Sequence, residues 1–388
     1  MRKEWTLILT AKTEKGKLIV LSRELERERL REWRKVQAFF CTQCNSPVQL
    51  KVGDIIIPHF AHLKDAACTT LFSEGESKAH LQGKRQLYEF FRKKVRQVEL
   101  EPFLKMLSQR PDILITTQSG SIPIEFQCST IPITDMESRS AGYRGIGMKP
   151  LWILQTPAKF SALPTGVGMF HFSKFHESFF THSHPEGQLL LTYNPQTERF
   201  HYFTSLVHIA GKRYIGIHRT LPLSSQVFPF ARPKTPSEVE IRRYVALYLS
   251  MRHKFLQSRV LLNTRGVNNS FLRMCYELRV IPADLPPWIG LPVPFSESFR
   301  GHDCEWQLAF YYYLRRKGFN FKDVSRNQIR NYVSGLEESS EEQEKACMNY
   351  RNFLISVDVD SDQKAADFAE EKIVRLISER LLAKRYEN

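Results

Sequence analysis

The sequence predicts a mixed α/β core followed by a mainly helical C-terminal region. Apolar residues after Glu74 recur with helical spacing, and two strand-like segments follow at residues 112–116 and 122–127. A helical segment and a short buried strand at residues 151–154 come next. Helix, two strands, helix and strand in this order are typical of one small α/β domain. After Ser237 the apolar spacing is helical almost to the end, and Ser237 is placed to cap the first of these helices.

Size and charge limit the functional class. The chain has 388 residues, enough for two to four domains, and 42% of them are hydrophobic, which excludes disordered and fibrous proteins. The 56 Lys and Arg residues exceed the 41 Asp and Glu residues, giving a net charge of +15. This charge predicts an anionic partner, with nucleic acid first and an acidic membrane surface second.

The sequence also predicts a compartment. No apolar run is long enough to span a bilayer, and the first apolar stretch is too short for a secretory signal. We therefore expect a cytoplasmic protein without a membrane partner. The cysteines number seven, which in a reducing compartment favours thiols or metal ligands over a disulfide framework.

Four regions are predicted along the chain. They are a β-hairpin with a Cys/His module at residues 1–70, an α/β core at 71–160, an aromatic and proline-rich region at 161–235 that is a candidate to complete the core, and a helical domain at 236–388. The first hairpin is expected to pair residues 6–9 with residues 17–21 around a turn at Gly16. The charged stretch that follows is either a short helix or a linker.

The Cys/His module has metal-ligand spacing. Cys41 and Cys44 form a C-x2-C pair, and fourteen residues later His59 and His62 form an H-x2-H pair. Zn²⁺ prefers four such ligands in a tetrahedron, and four protein ligands make a site structural. The histidine spacing is tighter than in common zinc fingers, so Cys68 is a candidate substitute ligand. The alternative is two unrelated cysteines and two surface histidines.

A predicted helix carries the first candidate catalytic residues. Glu76, His80 and Lys84 are spaced four residues apart, so all three project from one helix face. The alternative is an ordinary charged face with a Glu–His pair.

The predicted hairpin supplies further acids. A turn at residues 119–120 would set Asp112 opposite Gln127, and alternation would put Asp112, Glu125 and Gln127 on one face. Two carboxylates on an apolar hairpin are costly unless they are paired, solvated or bound to a metal. Their oxygen ligands suit Mg²⁺ or Mn²⁺. In a basic protein this arrangement indicates a metal-dependent phosphodiesterase.

Over about residues 1–155, the order and spacing of these motifs resemble the competence protein CoiA family. The residues that carry the resemblance are Cys41, Cys44, residues 59–62, Glu76, Ser77, His80, Lys84, Pro111, Asp112, residues 125–129, Arg139, Tyr143 and residues 152–154.

The resemblance implies a restriction-endonuclease-like core of the PD-(D/E)xK type beside a small zinc-ribbon-like module. Carried over, Glu76 is the helix acid, and Asp112 and Glu125 are the hairpin acids, so that these three residues would bind the catalytic Mg²⁺ or Mn²⁺. Gln127 stands where a lysine is usual, and Lys84 is a candidate to supply the missing cation.

Other roles stay open within the resemblance. Arg139 and Tyr143 are either phosphate contacts or a structural pair. His80 is a metal ligand, a proton-transfer group or the partner of Glu76. Pro123 inside the second strand suggests an edge position or a bulge.

The family resemblance also implies a function in DNA transformation. The expected activity is metal-dependent cleavage of single-stranded or branched DNA in the cytoplasm, alongside recombination machinery such as a RecA-type recombinase or helicase. The alternative is a catalytically weak nuclease fold that acts as a DNA-binding recombination accessory factor. A third hypothesis makes the C-terminal helices a protein-interaction module. Phe172, Phe175, Phe179 and Phe180 suit base stacking, but we expect them in the core.

Overall fold

The computed structural model describes residues 7–63, 77–183, 187–262, 268–359, 371–373 and 375–377. Within these residues two β-sheets and several helices form a mixed α/β fold, as the sequence predicts. None of the helices described is both long and apolar enough to cross a membrane.

The N-terminal part is a six-stranded antiparallel sheet covered by helix α1 (Arg27–Val36). Its strands are β1 (Leu7–Ile8), β2 (Thr10–Thr13), β3 (Leu18–Val20), β4 (Phe39–Phe40), β5 (Pro47–Lys51) and β6 (His59–His62). Their order in the sheet is β1-β6-β5-β4-β2-β3. Helix α1 buries Leu30 in a hydrophobic core shared with these strands.

The predicted first hairpin is wrong for most of its first strand, although the N–H of Leu21 does donate to the carbonyl oxygen of Leu9. Thr10 in β2 pairs with Val20 in β3, whereas Leu7 in β1 pairs with Ala61 in β6. Gly16 has a φ of +77°, which confirms the predicted turn. The error arises because the apolar stretch at the N-terminus is divided between a local partner and a distant one, and spacing alone cannot reveal that division.

The second sheet forms the central α/β core. Its elements in chain order are α2 (Lys78–Arg92), β7 (Gln97–Leu100), β8 (Ile113–Thr117), β9 (Gly120–Gln127), α3 (Ile133–Gly145), β10 (Leu151–Gln155), α4 (Ala158–Ser161), β11 (Gly166–His171), α5 (Lys174–Glu177), β12 (Thr181–Ser183), β13 (Gly187–Asn194), β14 (Arg199–Ala210) and β15 (Arg213–Pro222). The strand order is β11-β15-β14-β13-β10-β9-β8-β7, with β12 beside β13. Strand β10 is parallel to β9 and β13, and the other pairs are antiparallel.

The β8–β9 hairpin differs in register from the prediction. Thr117 pairs with Gly120 and Ile113 with Ile124, so the turn lies at residues 118–119. This register sets Asp112 level with Glu125 rather than with Gln127. The Thr117 hydroxyl donates to the Gly120 carbonyl oxygen and accepts the N–H of Ser119. These bonds close the turn one residue before the predicted position. Because the register differs by two residues, each side chain keeps its predicted face.

Pro123 lies at a local edge of β9. Strand β10 pairs with β9 only from Ile124 onward, one residue after the proline. The N–H that proline lacks therefore removes no bond from the β9–β10 pair.

Residues 161–235 extend the core sheet through β11 to β15. Phe172 is fully buried and Phe179 is buried among the residues between this sheet and its helices, which confirms a core position for both. The aromatic richness of this region therefore reflects packing, since large apolar rings fill the space beside the long strands.

The C-terminal region is helical and packs on the far end of the same sheet. Its helices are α6 (Glu238–Leu261), α7 (Ser270–Glu277), α8 (Asp303–Lys317), α9 (Arg326–Ser334) and α10 (Glu341–Ser356). Ser237 and Glu240 form the predicted cap of α6 through reciprocal hydrogen bonds. The Tyr244 hydroxyl donates to main-chain carbonyl groups of β14 and β15, which attaches α6 to the sheet.

Two buried histidines lie side by side in β14 and β15. His201 Nδ1 is 3.0 Å from His218 Nε2, and the two rings stack. Burial lowers the pKa of His201 to about 4 and also lowers the pKa of His218. Both imidazoles are therefore neutral in the folded protein at neutral pH.

We expect this pair to make the protein acid-labile. His201 has a pKa of 6.5 in the unfolded chain, whereas burial lowers its pKa to about 4 in the folded protein. Between these pH values the unfolded state binds a proton that the folded state does not. The stability that is present above pH 6.5 is therefore lost as the pH falls through this range. His201 alone should cost about 2 kcal/mol by pH 5. Urea unfolding at pH 7.5 and 5 measures this loss, and a His201→Asn variant should show a shallower decline. An equal decline in both proteins would contradict the conclusion that His201 is neutral in the folded protein and causes this loss of stability.

Candidate active site

Asp112 is the acid at which three core elements meet. It directly precedes β8, and its Oδ2 accepts the N–H of Phe126 in β9 at 2.8 Å. The same oxygen lies 3.2 Å from Nε2 of His80, and Oδ1 lies 3.6 Å from Nζ of Lys84. Burial alone would raise the pKa of Asp112, but the positive charges of His80 and Lys84 outweigh it and hold this pKa well below its usual range. Asp112 therefore stays ionised at neutral pH.

Helix α2 presents His80 and Lys84 to this acid from one face, as their spacing predicts. Ser77 caps the helix by accepting the N–H of His80. The helix approaches β9 closely at Gly83, where a Cβ atom would lie 2.2 Å from the Phe126 ring. A glycine is thus needed for the helix to bring both side chains to Asp112. Glu76, predicted on the same face, lies outside the residues described, so its role stays a prediction.

Lys84 is fully buried and is paired with an acid that sequence analysis missed. Its Nζ lies 2.6 Å from Oε1 of Glu101, which is 1% exposed. The other Glu101 oxygen accepts the N–H groups of Leu9 and Thr10 and the hydroxyl of Thr10. Glu101 follows a short strand and belongs to no spacing motif, so no sequence signal indicates it.

Glu125 is buried beside Asp112 and has its own partners on α3. Arg139 lies 2.9 Å from Glu125 Oε2, and the Tyr143 hydroxyl donates to Oε1. Burial raises the pKa of Glu125 to about 7; the Arg139 charge lowers it and the Asp112 charge raises it. Arg139 and Tyr143 thus contact the acid Glu125 directly, and a phosphate contact by either residue stays a prediction.

Arg139 has further contacts that fix its position. It donates to the Arg110 carbonyl oxygen at 2.9 Å, and its guanidinium lies 5.9 Å from the Trp152 ring centroid. With 17% of its side chain exposed, it reaches the solvent edge of the site together with His80 at 18% and Asp112 at 12%.

Gln127 does not supply a charge to the site. Its side-chain amide donates to the carbonyl oxygen of Ser129 at 2.9 Å. Lys84 is the lysine that approaches the acids in the part of the chain described.

The site offers two adjacent carboxylates to a hard cation. Mg²⁺ is commonly held by one or two carboxylates, with water and substrate phosphates completing its shell, so Asp112 and Glu125 fit this demand. Among the residues described, no third acid or histidine gathers with them into a three-ligand group.

A separate group on the N-terminal sheet has metal-binding geometry. Cys41 Sγ, Cys44 Sγ and a ring nitrogen of His62 all lie within 4.8 Å of one another. Tetrahedral Zn²⁺ with bonds of about 2.0–2.3 Å places its ligands roughly 3.3–3.8 Å apart, which this group can satisfy. The N–H of Gln43 points to Cys41 Sγ, and Asn45 has a φ of +59°, so the C-x2-C turn is already folded.

His59 is not part of this group, which corrects the sequence prediction. It lies three residues before His62 in strand β6, and residues an odd number apart in a strand project to opposite faces. The His59 ring instead contacts the carbonyl oxygen of Ile57. Cys68, the predicted substitute ligand, lies outside the residues described.

Comparison with known proteins identifies the family. A model of the competence protein CoiA nuclease-like domain matches residues 76–232, and one of the CoiA N-terminal domain matches residues 22–71. The chain belongs to the CoiA family. The competence protein CoiA of Bacillus subtilis (strain 168) is 28% identical over 290 residues, which are 73% of this chain and 74% of that protein. No solved structure matches the chain.

The CoiA nuclease-like match contains the whole candidate active site. It spans α2 to β15 and includes Lys84, Glu101, Asp112, Glu125 and Arg139. The N-terminal CoiA match contains Cys41, Cys44 and His62. Helices α6 to α10 lie beyond both matches.

We expect Arg139→Met to destabilise this CoiA-family protein in a pH-dependent way. The change leaves the Glu125 carboxylate buried without its cation, which costs about 3–5 kcal/mol for a buried pair. Loss of the cation raises the pKa of Glu125 further, so the variant loses stability as the pH rises. Urea unfolding should show a larger deficit at pH 8 than at pH 5.5.

Arg219→Met provides a matched control. Arg219 pairs with Glu240 at 3.1 Å, but about a quarter of each side chain is exposed. Its removal should cost less than about 1 kcal/mol at both pH values. Equal costs for the two variants would contradict a special role for the Arg139–Glu125 pair.

Proposed function

We propose that this CoiA-family protein is a metal-dependent deoxyribonuclease that hydrolyses phosphodiester bonds in single-stranded or branched DNA during competence, and that its core is of the PD-(D/E)xK type. The observation that carries the proposal is the position of Lys84. Its Nζ is 3.6 Å from Asp112, which lies level with Glu125 on the neighbouring strand. Lys84 on α2 thereby provides the positive charge that a lysine usually provides at the position of Gln127 on β9.

In this proposal each residue has a distinct task. Asp112 and Glu125 would hold the Mg²⁺ or Mn²⁺ ion, which when bound would activate a water and polarise the phosphate. Lys84 keeps Asp112 ionised. His80, bonded to Asp112 and partly exposed, transfers a proton at the solvent edge, and Arg139 contacts the phosphate.

The charge of the chain supports a DNA substrate. A net charge of +15 attracts a polyanion and makes binding salt-sensitive. We place the protein in the cytoplasm, where a RecA-type recombinase or helicase would act on the same DNA.

A second candidate function is DNA binding without efficient cleavage. The observation that favours it is that Glu125 already has two partners, Arg139 and Tyr143. An acid held in this way binds a metal less readily, because the metal must compete with the guanidinium. The protein would then act as a recombination accessory factor.

Cleavage of end-labelled single-stranded, duplex and branched DNA tests the two functions. With Mn²⁺ or Mg²⁺ we expect cutting that EDTA abolishes, and Asp112→Asn or Glu125→Gln should slow it by at least about 100-fold because each removes a ligand charge. Glu344→Gln is the control, since Glu344 is an acid on α10 that pairs with Arg326 and Arg330. Helix α10 lies outside the CoiA nuclease-like match. Salt-sensitive binding without cutting by the wild type would favour the accessory function.

We propose that Cys41, Cys44 and His62 hold a structural Zn²⁺. Such an ion would anchor the C-x2-C turn to strand β6 and so stabilise the N-terminal sheet. Hydrogen bonding to Cys41 and Cys44 outweighs burial and raises the pKa of His62 to about 9, so both thiol groups lie close to this imidazole.

The two histidines of β6 provide a matched comparison for this site. Zinc content per chain should fall in His62→Asn and stay near the wild-type value in His59→Asn, as measured by plasma mass spectrometry. The His62 variant should also melt at a lower temperature. Equal zinc in both variants would refute the assignment of His62.

A further inference from the structure

Glu101 joins the N-terminal sheet to the candidate active site through its side chain. Oε2 accepts bonds of 2.9–3.1 Å from the two amides and one hydroxyl of Leu9 and Thr10. Oε1 lies 2.6 Å from Lys84 Nζ. Glu101 is 1% exposed and Lys84 is 0% exposed, so water cannot substitute for either partner.

The main chain of Glu101 also holds Asp112. Its N–H donates to the Asp112 carbonyl oxygen at 2.9 Å. Its φ is +50°, in the left-handed region that non-glycine residues rarely adopt. Such a conformation persists only where the surrounding contacts impose it, and here it lies beside an acid of the site.

We propose that Glu101 is a positioning residue for the active site, because it holds Lys84 back from Asp112. Lys84 Nζ is 2.6 Å from Glu101 but 3.6 Å from Asp112, so Glu101 is the nearer of these two acids. Asp112 gains the charge of Lys84 without being tightly bound by it. This inference rests on the proposed function, since it assigns a further residue to the same site.

Neutralising Glu101 should therefore disturb Asp112 rather than only the N-terminal sheet. In Glu101→Gln, Lys84 loses the nearer of these two acids and moves toward Asp112. The Asp112 carboxylate then leaves the Phe126 N–H, which it accepts at 2.8 Å, and competes less well for a metal. Removing Lys84 as well takes away the cation that causes the disturbance.

The test compares the full-length wild type with Glu101→Gln, Lys84→Met, the double variant and the control Glu344→Gln. Hydrogen exchange of the Phe126 amide reports the position of Asp112 without any metal, and electron paramagnetic resonance of free Mn²⁺ gives metal affinity without turnover. In Glu101→Gln we expect exchange at Phe126 to quicken and Mn²⁺ affinity to fall, each by at least about tenfold. The double variant should return exchange at Phe126 to near the wild-type level, although it should not cleave DNA.

Two results would overturn the proposal. The first is a rate of exchange at Phe126 in Glu101→Gln that equals the wild-type rate. The second is a rate that stays fast in the double variant, which is expected if Glu101 only attaches the N-terminal sheet. If Glu101→Gln does not fold, Glu101→Asp keeps the charge but shortens the reach to Lys84, and the same change is expected at Phe126. A wild type that neither binds Mn²⁺ nor cleaves DNA would refute the proposed function, while the exchange data would still decide the role of Glu101.

Discussion

Lys84 is buried between two acids, Glu101 and Asp112, and much of the molecule is arranged to meet the needs of that charge. A fully buried ammonium group is tolerated only with close anionic partners, and Glu101 lies closer to it than Asp112 does. Glu101 in turn needs the amides of Leu9 and Thr10. The N-terminal sheet therefore docks on the core through the same contacts that set the charge of the active site.

The charge balance of the site follows from these pairs. Among the described residues, the acids Glu101, Asp112 and Glu125 face the cations Lys84 and Arg139, so the charges of these five side chains sum to −1 when all three acids are ionised. A divalent cation together with a DNA phosphate would add one positive charge and so bring this sum to zero. The raised pKa of Glu125, about 7, is the cost of holding two acids side by side away from water.

From the sequence, the described residues on the catalytic face of helix α2 could be predicted, but only part of the acid set and of the Cys/His group could be. His80 and Lys84 were placed correctly because helix spacing is local, and Asp112 and Glu125 shared a face because strand alternation survives a two-residue register error. His59 was misassigned because strand β6 turns an H-x2-H pair to opposite faces. Glu101 could not be found, since its role depends on contacts with Leu9 and Lys84 that lie far apart in sequence.

Anomalous diffraction from crystals grown with Mn²⁺ would test the central claim most directly, which is that Asp112 and Glu125 share one divalent cation. We expect a manganese peak bound by both carboxylates, with Lys84 still paired to Glu101. The absence of a peak there at saturating Mn²⁺, with Glu125 still bonded to Arg139 and Tyr143, would contradict it and leave the DNA-binding function as the better explanation.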